Sequence, residues 1–327
     1  MTATHQGEDK NEKKIIGVLV AALCGTSAVH AEFPEKAIRI VVPFAAGGGV
    51  DALARPFAKE LGQILGQSIV VENKPSNTGQ IGATDIARAN ADGYSLLLSS
   101  AAFGTTPAFY PQVPYNPIKD FSPVMIMAAA PQVLVASKKF NAGSLQDVLA
   151  RAKQSDKINF ALSASTGIQA LATAMLAQQA KVDFMKIPYK GAGAAFVDLI
   201  SGEVDLMIDN PASSLVHVRS GKLQVLATTG AKRMDILPDV PTVAETLPGF
   251  EARNWFVLAA PAGTPAAVID KLNDASRQAL NSPAMKEMLA RDGLDLIADR
   301  PPEAATFLKA EVEKWAMLVK TSNLQAQ

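Results

Sequence analysis

Cysteine is almost missing from the chain: Cys24 is the only one, and histidine occurs just three times, at His5, His30 and His217. A disulfide framework is therefore excluded, and a His/Cys metal site lacks its ligands, so no metal is expected. Neither charge sign predominates, because 31 Lys and Arg balance 31 Asp and Glu. That argues against nucleic acid or an anionic membrane surface as the main partner. Charge runs and low-complexity tracts are absent. With 48% hydrophobic and 19% charged residues, the chain has the material for a full core. Its 327 residues suffice for one large domain or two lobes. Catalytic signatures are missing too: no G-x-S-x-G, S-x-x-K or H-E-x-x-H follows residue 31. A Ser-His-Asp triad would have to use His217, with no elbow to present its serine.

What is there begins with an export signal over residues 1–31. Lys13 and Lys14 close a polar region, residues 15–23 are apolar, and Val29-His30-Ala31 fits a cleavage site, leaving a mature chain from Glu32. The rival reading is a membrane anchor, but the apolar run falls short of the roughly 20 residues a span needs. Cleavage would remove Cys24, His5 and His30, leaving His217 as the last histidine and no thiol.

Beyond the signal, strand-like and helix-like segments alternate, which predicts an α/β fold with largely parallel sheets. Residues 37–43 read as a buried strand, and residues 51–65 as a helix with Leu53, Phe57, Leu61 and Leu65 on one face. A strand at 68–72, a helix at 79–89 and a strand at 94–99 follow. Residues 100–107 read as a loop, 107–123 as an irregular stretch with five prolines, and 124–137 as one extended segment. A second unit of the same kind runs on through a strand at 158–162, a helix to about residue 179, a strand at 186–189, a helix at 194–201 and a strand ending at Asp209. Helices at 264–281 and 302–318 close the chain. Two α/β lobes with a cleft between them is the expected architecture, divided as 32–130 plus 255–327 and 131–254. Ligands in open α/β sheets sit beyond the carboxyl ends of strands.

The segment AIRIVVPFAAGGGVDALARPFAKEL is a strand, a glycine-rich loop and an amphipathic helix. Such a turn aims backbone N–H groups and a positive helix end into the loop. Gly47, Gly49 and Ala52 also satisfy G-x-G-x-x-G/A, with Glu72 where a ribose-binding acid would stand. A third reading is a loop that merely permits an unusual turn. The glycines start four residues past Pro43, too far for a tight dinucleotide turn, so an anion cradle at Phe44, Ala45, Ala46, Gly48 and Gly49 is preferred. Ser99 and Thr105 flank the next strand end. Ser163, Ser165 and Thr166 lie between a strand and a helix, where they either cap the helix or donate to a ligand carboxylate. Gly191 opens another helix, and Asp209 ends a strand, either ordering the turn or accepting from a ligand. His217 falls on a surface helix.

At these residues the chain resembles the Bug, or TctC-like, family of periplasmic solute-binding proteins serving tripartite tricarboxylate transporters. The carriers are FPEKAIRIVVPFAAGGGVDALAR, VVENKPSNTGQIGA, DGYSLLL, KDFSPV, IPYKGAGAAFVDLISGEVDLMIDN, GKLQVLA, LPDVPTVAET and APAGTP. The resemblance implies a type II-like Venus-flytrap fold with a ligand cleft between its lobes. It implies a small carboxylate ligand, held at loop 44–49 by backbone groups and waters and at loop 163–167 by hydroxyls and amides. It also implies no cofactor, no enzymatic activity, a monomer in the periplasm, and two membrane permease subunits as partners. A sensor kinase is the alternative partner, and an exported α/β enzyme acting on a carboxylate the alternative class. Two departures stand out: Phe103 and Thr106 replace the family's frequent His and Asn, and Ala164, Gln169 and Ala170 alter the second-lobe loop. Both remove polar groups near the expected cleft, which favours a smaller or partly apolar carboxylate over citrate. Arg55, one turn into the first helix, is expected to help from behind the loop.

Overall fold

The computed structural model describes residues 1–2, 33–76, 78–154, 157–163, 166–189 and 191–322. The export segment expected at 1–31 lies, from residue 3 on, outside them. The chain divides at Glu35, and every strand and helix among the described residues belongs to the unit Lys36–Gln327.

The first strands and helices are β1 (Ile38–Val42), α1 (Gly49–Leu65), β2 (Ile69–Asn73), α2 (Gln80–Ala87), β3 (Ser95–Ser100), α3 (Ala102–Phe109) and β4 (Phe121–Pro131). The chain then enters a second sheet through β5 (Val133–Ser137), α4 (Leu145–Lys153), β6 (Asn159–Leu162), α5 (Ile168–Ala180), β7 (Met185–Pro188), α6 (Ala192–Ser201), β8 (Leu206–Asp209), α7 (Pro211–Arg219) and β9 (Leu223–Thr228). It returns through β10 (Arg253–Pro261), α8 (Ala266–Leu280), α9 (Pro283–Asp292), β11 (Asp295–Leu296) and α10 (Pro301–Thr321). Two lobes result: a six-stranded sheet ordered β11-β4-β10-β3-β1-β2 and a five-stranded one ordered β7-β6-β8-β5-β9.

The sheets are mixed rather than largely parallel. β1 pairs in parallel with β2 and β3, and β6 with β7 and β8. β10 and β5, however, run antiparallel to their neighbours. The reason is topological: β10 and β5 enter their sheets from the other lobe, against strands that run out toward it. Apolar β-branched runs such as IRIVV suit strands covered on both faces. Ile38, Ile40, Val41 and Val42 are all fully buried, worth roughly 1.5–3 kcal/mol each.

The expected helical stripe of α1 is present, with Leu53, Phe57 and Leu61 buried and Leu65 half-buried. Three sequence expectations change. Residues 100–107 are mostly helix, because α3 tolerates Pro107 near its end while Phe103 and Thr105 turn inward. The extended run 124–137 is two strands in different sheets, separated at the fully buried Gln132. α9, with Ser282 accepting from Met285 N–H at its start, is a separate helix that the sequence pattern does not announce. α10 straddles the two cores: Ala304 and Leu308 pack with Val41 and Trp255, whereas Trp315 and Leu318 pack with Leu134 and Phe160.

Two crossing strands knit the lobes. Gln132 N–H donates to Thr229 Oγ1 (2.7 Å) and Thr229 N–H to the Gln132 carbonyl (2.9 Å). Thr229 Oγ1 donates to the Ala252 carbonyl, and Ala252 N–H returns a bond to the Thr229 carbonyl (2.9 Å).

Candidate functional site

The glycine loop after β1 is fixed from below by one carboxylate. Asp51, in the first turn of α1 and 3% exposed, accepts from Gly47 N–H (2.8 Å), Arg55 Nε (2.9 Å) and Asn73 Nδ2 (2.9 Å). Asn73, the last residue of β2, also donates to the Phe44 carbonyl (3.1 Å) and accepts from Arg55 Nη2 (2.9 Å). The hydrogen bond and charge of Arg55, with those from Gly47 and Asn73, hold the Asp51 carboxyl at about 2. Gly47 takes a left-handed φ of +79°, which explains a glycine there, and Gly48 N–H closes the turn on the Ala45 carbonyl (3.3 Å). The helix then begins, leaving the N–H groups of Gly49 and Val50 with no acceptor among the described residues. α2 presses on the base of the loop: a Cβ at Gly82 would meet Pro43 Cα at 2.9 Å.

The other lobe supplies a second helix start. β8 ends at Asp209, Asn210 is extended, and Pro211 opens α7, where a missing N–H is harmless. Ser213 donates to the Asp209 carboxylate and lies 3.0 Å from the Asn210 carbonyl. Burial pushes the Asp209 carboxyl up to about 6, opposed by its hydrogen bonds to Ser213 and Asn210.

Both starts open onto one chamber of about 690 Å³ between the lobes. Phe44, Ala45, Gly48, Gly49 and Val50 come from the first loop and helix, and Asn210, Ala212 and Ser213 from the second. Ser100, Asn254 and Phe256 form its floor, and Met288, Asp292 and Leu294 come from α9 and the turn after it. Asn254 Oδ1 accepts from Ala101 N–H (3.4 Å), tying the floor to the end of β3.

The expected site residues separate into three groups. Phe44, Ala45, Gly48 and Gly49 line the chamber. Ala46 is exposed beside it; Ser99 and Thr105 are each 1% exposed and lie behind the wall, which Ser100 reaches instead. Asp209 is 2% exposed and meets the chamber through Asn210 and Ser213. Ser163 and Gly191 meet beyond the ends of β6 and β7, where Gly191 N–H donates to the Ser163 carbonyl (2.9 Å), and Thr166 lies just before α5. They do not border the chamber, and Ser165 and Ala164 lie outside the described residues. Sequence reasoning missed Asn254, Phe256, Met288, Asp292 and Leu294, which come from distant segments with no local motif.

Other expectations find structural partners. Glu72 bonds Arg39 (3.1 Å) and Lys74 (3.3 Å), so it is occupied by an ion-pair network rather than poised for a ribose. Phe103 is 2% exposed and stacks on Tyr115 with centroids 5.6 Å apart; Thr106 donates to the Thr78 carbonyl (3.2 Å). These two departures therefore sit in the core, not on the chamber wall. Gln169 Nε2 donates to Gln132 Oε1 (3.2 Å) at the strand crossing. His217 is half-buried against the Phe196 ring, 4.6 Å between centroids. No helix among the described residues is long and apolar enough to cross a membrane.

Comparison with known proteins gives a consistent picture. The model of the tripartite tricarboxylate transporter family receptor matches residues 53–324. The protein BugT of Bordetella pertussis is 36% identical over 311 residues, 94% of this chain and 95% of BugT. The solved periplasmic binding protein BugD is 35% identical, with a TM-score of 0.73 over 90% of this chain and all of its own. A R. palustris protein solved with adipate is 31% identical, with a TM-score of 0.77 over 90% of this chain and 100% of that one.

Proposed function

The chain belongs to the tripartite tricarboxylate transporter receptor family, and from that membership we propose that it is an exported solute-binding protein for a small carboxylate. In this reading it works in the periplasm as a monomer, catalyses no reaction, and hands its ligand to two integral membrane permease subunits. The ligand carboxylate sits in the cleft, held by backbone N–H groups, hydroxyls and ordered waters rather than by a buried arginine.

One observation carries the reading. The N–H groups of Gly49 and Val50 have no acceptor among the described residues, their loop is already locked by Asp51 and Asn73, and both residues line a chamber shared with the start of α7. Donors fixed before the ligand arrives lose little entropy on binding. The bound adipate of a relative supports the same chemistry. The two lobes, 32–130 with 255–327 and 131–254, would close by rotation about Gln132 and Thr229, burying the ligand and creating the form a permease recognises. The loops at Ser163, Ser165, Thr166 and Gly191 would then approach it from the second lobe.

A thermal-shift screen of residues 32–327 against citrate, C4 dicarboxylates, aspartate, glutamate, nicotinate and aromatic acids tests this. A ligand that binds only the folded state raises the melting temperature. A clear shift with one carboxylate class is expected. No shift from any member, with no ligand released on denaturation by mass spectrometry, would overturn the reading.

A further inference from the structure

We infer that Asp292 sets the ligand class of the chamber, admitting a monocarboxylate with an apolar body and turning away a second carboxylate. The inference rests on the carboxylate reading above. Most of the wall is apolar, with Val50, Leu53, Phe256, Met288 and Leu294 contributing side chains. Among the described residues that line it, Asp292 is the only ionisable one; no Lys, Arg or His is present. The wall is therefore electrically uneven. α1 and α7 present their positive ends, whereas α9 finishes at Asp292 and presents a carboxylate together with its last carbonyls.

The partner of Asp292 is Arg291, whose Nε and Nη2 reach its two oxygens at 2.8 and 3.2 Å. Arg291 points outward, its side chain 71% exposed against 33% for Asp292. The cation thus stands in solvent and the anion toward the chamber. One carboxylate of a ligand finds donors at the helix starts. A second one in the same chamber loses water, meets a like charge and gains no cation. A methyl-terminated chain meets Phe256, Met288 and Leu294 and suffers none of this. The R. palustris relative was solved with a dicarboxylate, adipate, so the two proteins would differ in this preference.

Hexanoate and adipate share a chain length and differ only at the far group, which makes them the probes. Isothermal titration of the purified protein should show hexanoate binding about tenfold or more tighter than adipate. Asp292→Asn should narrow that ratio to within about threefold by tightening adipate alone. Arg291→Gln, which strips the screening cation, should widen it, and added salt should narrow it in the wild type. Both positions are solvent-accessible, so the variants should melt like the parent. Adipate binding as tightly as hexanoate, or a ratio unmoved by Asp292→Asn, would overturn the inference. If other carboxylates bind but neither probe does, the inference falls alone. If no carboxylate binds, the functional reading falls and takes it along.

Discussion

Asn73 Nδ2 donates to Asp51 Oδ1 at 2.9 Å, and the same amide reaches the Phe44 carbonyl at 3.1 Å. One side chain at the end of β2 therefore pins both ends of the glycine loop that β1 and α1 enclose. Asn73→Ala would leave a buried carboxylate short of a donor and a loop carbonyl unpaired. The expected loss is about 1–3 kcal/mol of stability. Affinity for whichever carboxylate the screen finds should fall by about tenfold, because the loop must then be ordered by the ligand. Denaturant melts and calorimetry on one preparation check both. Lost stability with unchanged affinity would mean that Asn73 supports the fold without shaping the binding loop.

Two buried aspartates push stability in opposite directions with pH. Asp51 lies near 2, below its ordinary 3.8, so its contribution is present above pH 4 and disappears as pH falls toward 2. It amounts to about 2 kcal/mol. Asp209 lies near 6, above 3.8, so the folded state favours its protonated form. Stability associated with Asp209 is present below pH 4 and is lost as pH rises through 6, on the order of 3 kcal/mol. Asp51→Asn should remove part of the acid limb, and Asp209→Asn should flatten the decline between pH 4 and 6. Asp299, also pushed up to about 6 by burial, leaves a residual slope. Melting temperatures from pH 2 to 8 decide the matter.

One carboxylate of the C-terminal helix joins the two tryptophans. Glu311 Oε2 accepts from Trp255 Nε1 (2.9 Å) in the first-lobe core and from Trp315 Nε1 (2.7 Å), which packs among residues of the other. Its second oxygen takes Lys314 Nζ at 3.0 Å. Glu311→Ala would orphan two buried indole N–H groups and should cost about 2–5 kcal/mol. Glu311→Gln keeps an acceptor oxygen and should cost about 1 kcal/mol. Trp255 and Trp315 are the only tryptophans, so emission reports on this node directly. A red shift in the Ala variant alone is the expected sign.

How far the chain can be read in advance follows from where the information lies. β1, the glycine loop and α1 are legible because a β-branched run, three glycines and a helical stripe fall within consecutive residues. The tie from Asn73 is not, since nothing local links it to Phe44, 29 residues earlier. The same holds for Met288 and Asp292, which enter the chamber from a helix with no binding motif. Strand direction departs from expectation at β5 and β10 because alternation of strands and helices does not reveal when a chain changes lobes. Phe103 illustrates a further limit: a family position expected at the cleft is filled here by a ring that completes an aromatic cluster with Tyr115 and Phe121.

The strand crossing offers the sharpest test of how the lobes are joined. Thr229 is fully buried; its hydroxyl accepts from Gln132 N–H at 2.7 Å and donates to the Ala252 carbonyl. Valine has nearly the same shape and neither capacity. Thr229→Val would therefore leave the buried Gln132 N–H and the buried Ala252 carbonyl without the bonds that Thr229 makes to them, without opening a cavity. The expected penalty is about 2–4 kcal/mol, from two buried groups at the usual cost of an unmet hydrogen bond. Thr229→Ser keeps the hydroxyl and loses a methyl, so it should cost only about 1 kcal/mol. If both variants lose the same amount, packing rather than hydrogen bonding holds the crossing. If Val alone is costly, the two strands are joined by the hydroxyl. In that case small-angle scattering of the Val variant should also show a broader range of lobe openings.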